Sequence, residues 1–292
     1  MEHEIQQLGV EQFPPLLAEI NDPPEELYYQ GSVPNWSEYK LLAVVGSRRF
    51  SQYGKQVCEK LIRELAGQPI IIVSGLALGI DSIAHNAALA AKLKTVSVPG
   101  SGLDKKVLHP RTNHRLASTI VENAGLVMSE YEPLMPAGIH TFPKRNRIMA
   151  GMCHATLLIE AAERSGTLIT ARLATEYNRE VLVVPHDITR STSKGVHQFL
   201  KLGATPVTES NDILKALGLY VEEEKSDKQQ QKLQLDLSDN EKKVIDILSR
   251  DKLSRDELIE KLDQPVTETN ILLSAMEIKG LIKEELGTLR LS

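Results

Sequence analysis

Three basic side chains stand close together in the segment TFPKRNRIMAG, residues 141–151: Lys144, Arg145 and Arg147. Phe142 precedes them, and an apolar run follows. No aspartate or glutamate occurs between residues 133 and 159, so nothing nearby in the sequence neutralises their charge. A group of uncompensated cations predicts an anionic partner.

Four segments place glycine in a turn that leads into a helical pattern: VVGSRRFSQYG, VSGLALGIDSIAH, VPGSGLDKKVLHPRTNH and ERSGTLITARLA. Glycine lets the backbone approach a ligand closely, and a helix amino terminus presents N–H groups with a partial positive charge. Phosphate is the natural ligand of such turns, although none of them matches G-x-G-x-x-G or a Walker P-loop. For any one turn alone, a tight connection in an α/β sheet remains the alternative.

More basic residues follow the same apolar runs as these turns. They are Arg48, Arg49, Lys105, Lys106 and Arg111. Parallel strands bring such turns to one edge of a sheet, so we expect the positive charge to collect there and to follow a polyanion backbone. For each cation alone, a solvated surface side chain remains the alternative.

The sequence lacks the usual catalytic patterns. Serines and histidines occur in the turns, but there is no G-x-S-x-G elbow, no His-x-x-x-His pair and no Cys/His spacing for zinc. Cys58 and Cys153 are interpreted as reduced packing residues, and Asp81 as a first-turn acid that favours the helix dipole. We therefore assign no catalytic residue, no metal and no cofactor.

Short β-branched runs alternate with helical patterns between Leu41 and Pro206. They are LLAVV, IIIVS, TVSVP, GLVMS, ATLLIE and EVLVV, with TPVTE as a weaker seventh. Continuous apolar runs are typical of strands that are buried on both faces. The alternation predicts an α/β fold over residues 41–217, a doubly wound and mainly parallel sheet with helices on both faces.

The flanking segments have different compositions. Within residues 1–40, FPPLLAEINDPPEELYYQG holds four prolines and an acidic bias, which predict a short irregular cap. Residues 218–237 are charged and Gln-rich, as in a solvated linker. In residues 238–292, the capping boxes SDNE and SRDE open two helices, a third runs roughly from Val266 to Lys279, and GLIKEELGTLRLS alternates like a hairpin. This last segment predicts a small winged-helix domain.

The formal net charge of −5 is unevenly distributed along the chain. It is −7 for residues 1–40, +7 for residues 41–217 and −5 for residues 218–292. The basic middle suits a polyanion partner. No apolar stretch approaches the ~18 residues of a membrane helix, and the first ten residues lack a signal-peptide pattern. We expect a cytoplasmic protein without a membrane partner.

Taken together, these segments resemble the DprA family of bacterial DNA-processing proteins, also called Smf. The resemblance covers about residues 11–210, through FPPLLAEINDPPEELYYQG, VGSRRFSQYG, SGLALGIDSIAHNAAL, VPGSGLDKKVLHPRTN, SEYEP, FPKRNRIMAG, EAAERSGTLITARLA and SKGVHQFLKLGATPV. It implies a Rossmann-like domain that binds single-stranded DNA, usually as a homodimer. It also implies a protein that protects incoming DNA in natural transformation, helps to load the RecA recombinase and is not an enzyme.

The same resemblance implies roles for individual residues. Contacts to the phosphates of single-stranded DNA are implied for Gly46, Ser47, Arg48, Ser74, Gly75, Ala77, Gly79, Arg111, Arg145, Asn146, Arg147, Gly166 and Thr167. Phe142 would be a base-stacking platform, with core packing as its alternative. Arg111 stands where the family commonly has a lysine, so the charge is kept while a planar fork replaces a point charge.

Some features depart from the family pattern. Its longer members carry an amino-terminal helical module that we expect this chain to lack. The third carboxyl-terminal helix offers Glu268 and Glu277 against Lys279 alone, so we expect that domain to contact protein rather than DNA. The apolar residues of GVHQFLKLG pack either on a dimer partner or on the sheet.

Another class of protein shares this kind of fold, namely nucleotide-processing hydrolases of the lysine-decarboxylase-like or cytokinin-activating type. Their turn resembles P-G-G-x-G-T followed by an acid pair, whereas ERSGTLITA lacks the second glycine and the acids. We keep this hydrolase as the alternative function, with Glu160 as its test residue. A nucleotide-sensing scaffold is a third possibility.

Overall fold

The computed structural model describes residues 4–220, 238–250, 253–262, 264–279, 281–285 and 287–291. The chain divides into two compact units, residues 1–220 and residues 221–292. The first unit is an α/β structure, and the second combines three helices with a hairpin. Among the described residues, no helix is both long and apolar enough to cross a membrane.

Nine strands form the sheet of the first unit. They are β1 (Gln6–Leu8), β2 (Leu27–Gly31), β3 (Lys40–Val45), β4 (Ile70–Ser74), β5 (Lys94–Ser97), β6 (Leu126–Ser129), β7 (Ala155–Leu158), β8 (Glu180–Val183) and β9 (Thr205–Pro206). Their order is β1-β2-β6-β5-β4-β3-β7-β8-β9. Strands β3 to β9 pair in parallel, which confirms the predicted sheet. The chain leaves β3 for β4 on one side and reaches β7 on the other, so the strand order reverses at β3.

Helices cover both faces of this sheet. They are α1 (Gln52–Glu64), α2 (Ile80–Ala90), α3 (His114–Glu122), α4 (Thr141–Met152), α5 (Thr167–Glu176), α6 (Lys194–Lys201) and α7 (Ser210–Ala216). In β3, Leu42 and Val44 pack against α1, α2 and α7, whereas Ala43 and Val45 pack against α4, α5 and α6. Alternate residues of a strand point to opposite faces, so one apolar run serves two cores.

The packing of α6 shows whether the apolar residues of GVHQFLKLG lie on the sheet or are left for a dimer partner. Val196 and Phe199 are buried in the core cluster on the sheet, and Leu200 packs against that cluster. Leu202, just beyond the helix, is 78% exposed. The apolar residues of this helix therefore pack on the sheet of their own chain.

The amino-terminal segment differs from the predicted irregular cap. β2 pairs antiparallel with β6, and β1 pairs antiparallel with β2, so the segment extends the sheet. Two short 3-10 turns lie between β1 and β2. Ile20 packs against Gly151, since a Cβ added to that glycine would come within 2.6 Å of the Ile20 side chain. The prolines are confined to the connection between the strands, where no ladder hydrogen bond is lost.

The second unit has the order of a winged helix, which confirms the prediction. It contains α8 (Asp239–Arg250), α9 (Arg255–Leu262), α10 (Val266–Ile278), β10 (Ile282–Glu285) and β11 (Thr288–Leu291). Both capping boxes form, because Ser238 N donates to Glu241 at 2.8 Å and Ser254 N donates to Glu257 at 2.7 Å. The predicted linker lies outside the described residues from residue 221 onward.

Candidate functional site

A cleft of about 660 Å³ opens beyond the carboxyl end of β3, where the strand order reverses. Open α/β sheets bind their ligands at such a reversal. Many of the residues with predicted roles line this cleft: Gly46, Ser47, Arg48, Ala77, Phe142, Arg145, Asn146, Gly166 and Thr167. The structure therefore brings together the turns after β3, β4 and β7 and the start of α4, although these segments are far apart in sequence.

Arg48 is one of two exposed cations in the described lining of the cleft, together with Arg49. Among the described residues, no carboxylate lies within ion-pairing distance of its guanidinium. A left-handed glycine, Gly79 (φ 85°), lies against it, and a Cβ there would come 2.7 Å from Arg48 Cα. Gly79 thus lets the turn after β4 touch the turn after β3 and sets the position of the arginine.

The turn that carries Arg48 is held by Glu160. Its Oε1 accepts a hydrogen bond from Ser51 N at 2.7 Å, and its Oε2 accepts one from Ser51 Oγ at 2.8 Å. Ser51 in turn caps α1, since its Oγ accepts from Gly54 N at 3.0 Å. Glu160 is fully buried and both of its oxygens are engaged, so the hydrolase alternative loses the free acid it would need.

The turn after β4 already binds an acidic side chain of the protein itself, that of Asp81. Asp81 Oδ2 accepts hydrogen bonds from Gly75 N at 3.1 Å and from Ala77 N at 3.4 Å. Burial raises the pKa of Asp81 above its ordinary value, and the Arg145 charge and these two N–H groups offset only part of that rise. Ser74 is fully buried and donates to Val44 O at 2.7 Å. The backbone groups that were predicted to bind phosphate therefore bind a carboxylate here.

Arg145 is an internal residue of the cleft floor. Its Nη1 donates to Gly75 O at 2.6 Å and also to Val98 O, and its Nε donates to Asn146 Oδ1 at 3.1 Å. Burial lowers the pKa of Arg145 to about 10, so the guanidinium stays charged at neutral pH. A Cβ at Gly75 would come within 2.6 Å of that guanidinium. Gly75 thus makes room for Arg145 rather than for a ligand.

Arg147 points away from the cleft. Its Nη2 forms an ion pair with Glu130, its Nη1 donates to Asp22 O at 2.7 Å, and its Nε lies 3.2 Å from Asp22 Oδ2. Its side chain is 7% exposed. Acids from distant parts of the chain therefore compensate the charge of Arg147, and the phosphate contact predicted for it stays a prediction. Lys144 lies 3.7 Å from the same Glu130 carboxylate but is mostly exposed.

Phe142 forms part of the cleft wall and is half-buried. The Cζ of Arg48 lies 5.2 Å from the centre of its ring, and the ring of His109 is centred 5.7 Å away. A Cβ at Gly100 would come 2.6 Å from Cδ1 of Phe142. The ring is thus fixed between a glycine and a cation, and its predicted stacking role remains a prediction.

The turn after β7 contributes the start of α5. Thr167 Oγ1 donates to Gly46 O at 3.0 Å, which joins this turn to the one after β3. A Cβ at Gly166 would meet nothing within 4 Å, so the helix terminus faces open space. Thr167 N already donates to Ser165 Oγ at 3.3 Å, so an anion could approach this terminus at Gly166.

Other predicted cations lie outside the cleft lining. Arg111 is exposed in a 3-10 turn before α3. Lys105 and Lys106 line a separate cleft of about 500 Å³ against α3. The charge of the strand-end loops is therefore divided among several surfaces, and Arg48 with Arg49 supplies the exposed part at the main cleft.

The third helix of the second unit carries compensated charges. Glu277 lies 2.9 Å from Arg255, and Lys279 Nζ lies 2.7 Å from Glu241. Apolar side chains are exposed on the same helix, with Ile271 at 67% and Ile278 at 88%. The expectation that this helix contacts protein rather than DNA remains a prediction.

Comparison with known proteins identifies the family. A model of the family described as DNA recombination-mediator protein A matches residues 5–218. The chain belongs to this family. A model of the DprA winged helix domain matches residues 228–287. Both matches agree with the two units of the structure.

Relatives within the DprA family include proteins of two named bacteria. Protein Smf of Escherichia coli is 41% identical over 205 residues, 70% of this chain and 54% of its own length. The match thus spans about half of that relative. DNA processing protein DprA of Streptococcus pneumoniae is 44% identical over 199 residues, 68% of each chain.

Two solved structures share the fold at substantial identity. The X-ray structure of S. pneumoniae DprA has a TM-score of 0.68 and 40% identity, and the match covers 73% of this chain and 74% of that one. DNA processing protein A of Helicobacter pylori, which binds single-stranded DNA, has a TM-score of 0.67 and 30% identity. That match covers 74% of this chain and 96% of the H. pylori chain.

Sequence reasoning missed the residues that complete the DprA-type cleft from a distance. His109 beside Phe142 and Thr192 in the lining had no motif that assigned them there, and Glu160, which lies beneath α1, was named only as the test residue of the hydrolase alternative. The one available signal was position, since Glu160 directly follows a buried strand at the predicted edge.

Proposed function

We propose that this member of the DprA family binds single-stranded DNA in the cleft beyond β3. The observation that carries the proposal is Arg48, an exposed guanidinium without an ion-pair partner among the described residues, in the wall of a 660 Å³ cleft. Phosphates would contact Arg48 and the amino terminus of α5 at Gly166. The H. pylori relative, which binds single-stranded DNA, supports this assignment.

A single strand is favoured over a duplex by the aromatic component of the site. The Arg48 guanidinium lies over the Phe142 ring in the same wall, so a base could take its place on the ring while the phosphate of that base meets the guanidinium. Bases in a duplex are already stacked, whereas those of a single strand can be splayed onto a protein ring. One such stack contributes ~1–3 kcal/mol.

We further propose that the chain acts as a recombination mediator in the cytoplasm, as a homodimer that protects incoming single-stranded DNA and helps to load a RecA-type recombinase. The family to which the chain belongs is described as a recombination mediator. The exposed apolar side chains of α10 fit a protein-contact role for the second unit. The dimer surface would have to lie elsewhere than on Val196 and Phe199, which are buried.

The test is a salt titration of binding to a ~30-nucleotide single strand, followed by fluorescence anisotropy. Binding should weaken with salt at a slope of ~−0.7 per phosphate contacted. Arg48→Ala should weaken binding by roughly 10- to 100-fold and flatten the slope by about one contact, because one charge-assisted phosphate bond is lost.

Arg63→Ala is the matched control for that variant. Arg63 is exposed in the last turn of α1, at the opposite end of the helix from the cleft. Its removal deletes the same charge and should change neither the affinity nor the slope. Equal effects of the two substitutions would show general electrostatics and sink the assignment of the cleft.

A further inference from the structure

The turn between β4 and α2 has the geometry of an anion-binding nest. Leu76 is fully buried and adopts φ 59°, a left-handed conformation that costs a non-glycine residue of order 1–3 kcal/mol. This backbone turns the N–H groups of Gly75 and Ala77 toward one point. Such nests usually receive phosphate or another anion.

The point where the two N–H groups meet is occupied by Asp81 Oδ2. Asp81 is 7% exposed and lines the cleft, so its carboxylate is the innermost anion of the site. The charges of Arg145 and Arg48 both act on it. An acid that served only the dipole of α2 would not need to bind the preceding turn.

The outer part of the cleft differs from this inner position. Arg48 is exposed and has no ion-pair partner among the residues that the structure describes, and Gly166 faces open space. A phosphodiester that carries one charge can be held there. A terminal phosphate carries about −1.5 to −2 near neutral pH and is repelled more strongly by a fixed carboxylate.

We propose that Asp81 is a specificity determinant, which fills the inner anion position so that the cleft accepts internal phosphodiesters and rejects terminal phosphates and free phosphate. This inference rests on the proposed binding of single-stranded DNA in the same cleft. On this basis the nest, although it lies next to two arginines, would not capture mononucleotides. Asp81 therefore selects a continuous strand by excluding its shorter and more highly charged fragments.

The experiment compares two ~30-nucleotide strands of one sequence, with a 5′-phosphate or a 5′-hydroxyl, on wild type and two variants. Asp81→Asn removes the charge but keeps an oxygen to accept from Gly75 and Ala77. Asp81→Ala also empties the nest. Wild type should bind both strands equally, and Asp81→Ala should prefer the 5′-phosphate strand by about tenfold. Asp81→Asn should show a smaller preference, because its amide oxygen still fills the nest.

Inorganic phosphate serves as a second probe, at ionic strength held constant with chloride. It should displace the 5′-hydroxyl strand from Asp81→Ala at about tenfold lower concentration than from wild type. Glu122→Gln is the control, because Glu122 is exposed at the far end of α3 and its substitution removes one negative charge elsewhere.

The outcomes separate this inference from the proposed function. If wild type does not bind the 5′-hydroxyl strand, the proposed function fails. If wild type binds it but the folded variants show no preference for a 5′-phosphate, or lose binding altogether, Asp81 only positions the turn and the inference is overturned. A 5′-phosphate preference already present in wild type would overturn it as well. Thermal melting of Asp81→Asn shows whether it is folded.

Discussion

Arg48 and Arg147 lie in two basic motifs of the same kind, yet the structure gives them opposite surroundings. Arg48 is exposed and has no ion-pair partner among the described residues, whereas Arg147 is almost fully buried between Glu130 and Asp22. Arg145 is as buried as Arg147, but it lines the cleft, and its guanidinium donates to the carbonyls of Gly75 and Val98 and to the side chain of Asn146. The difference teaches that burial, rather than residue type, decides whether a cation is available to a ligand.

The partners of Arg147 explain why its charge looked uncompensated. Glu130 is 17 residues away in sequence and Asp22 is 125 residues away. The antiparallel addition of β2 to the sheet edge brings the amino-terminal segment, and with it Asp22, against α4. Long-range pairing of this kind leaves no local pattern.

The largest effect should come from breaking the buried pair. Arg147→Met should destabilise the first unit by about 3–5 kcal/mol, because it leaves the Glu130 carboxylate buried without its main partner. Chemical denaturation monitored by circular dichroism measures this loss. At temperatures where the variant is folded, its affinity for single-stranded DNA should be unchanged.

Lys144→Met is the matched control for this comparison. It also removes a cation near Glu130, but from an exposed side chain, so stability should change by at most ~1 kcal/mol. A folded Arg147→Met protein whose salt slope for DNA falls by ~0.7 would show that Arg147 does contact phosphate, and would erase the contrast with Arg48.

A smaller effect is expected from the aromatic neighbour of Arg48. Phe142→Ala should weaken binding of single-stranded DNA by ~1–3 kcal/mol while leaving the salt slope intact, because a stack carries no charge. Phe142→Leu separates stacking from packing, since it fills the space beside Gly100 without a flat ring. If Phe142→Leu binds like wild type, the ring is a packing residue only.

The charge of the buried Arg145 guanidinium acts on His85, and this leads to a prediction about pH. Burial, assisted by the Arg145 charge, lowers the pKa of His85 to about 3, below the ~6.5 of an unfolded histidine. As pH falls below about 6.5, His85 takes up a proton in the unfolded chain but not in the folded chain. The free energy of unfolding should therefore decrease, by up to ~1.4 kcal/mol per pH unit for this group.

His85→Leu should make that decline with falling pH shallower, by up to the ~1.4 kcal/mol per pH unit that one proton contributes. Urea denaturation of the variant and of wild type between pH 7.5 and 5 measures the difference. His154 has a pKa lowered to about 4 by burial and contributes to the decline in both proteins, so the difference between them isolates His85. Parallel curves would show that His85 is charged in the folded state.

Much of the fold was predictable because its signals are local. The apolar runs of β3 to β9 and the capping boxes at Ser238 and Ser254 each lie within a few residues, and all were found in the structure. The same method missed β2, since LYYQG follows a proline-rich stretch and owes its pairing to β6 about 100 residues later.

The candidate site was predictable only in its location. Strand ends identified the edge at which Arg48, Phe142 and Gly166 converge. Whether each group faces the solvent or another part of the chain depends on contacts such as Asp81 with Gly75, and Arg145 with Val98. These contacts follow from how loops fill space, which no spacing rule encodes.

The glycine at position 79 has a consequence for how variants of this protein are interpreted. Because its missing side chain lets one turn rest on the backbone of Arg48, a methyl group added there would move the arginine without touching any ligand. A genetic screen would score position 79 as a contact residue, although it acts as a spacer. The position of the Arg48 guanidinium thus depends on residues 48 and 79 together, and a substitution at either one can change it.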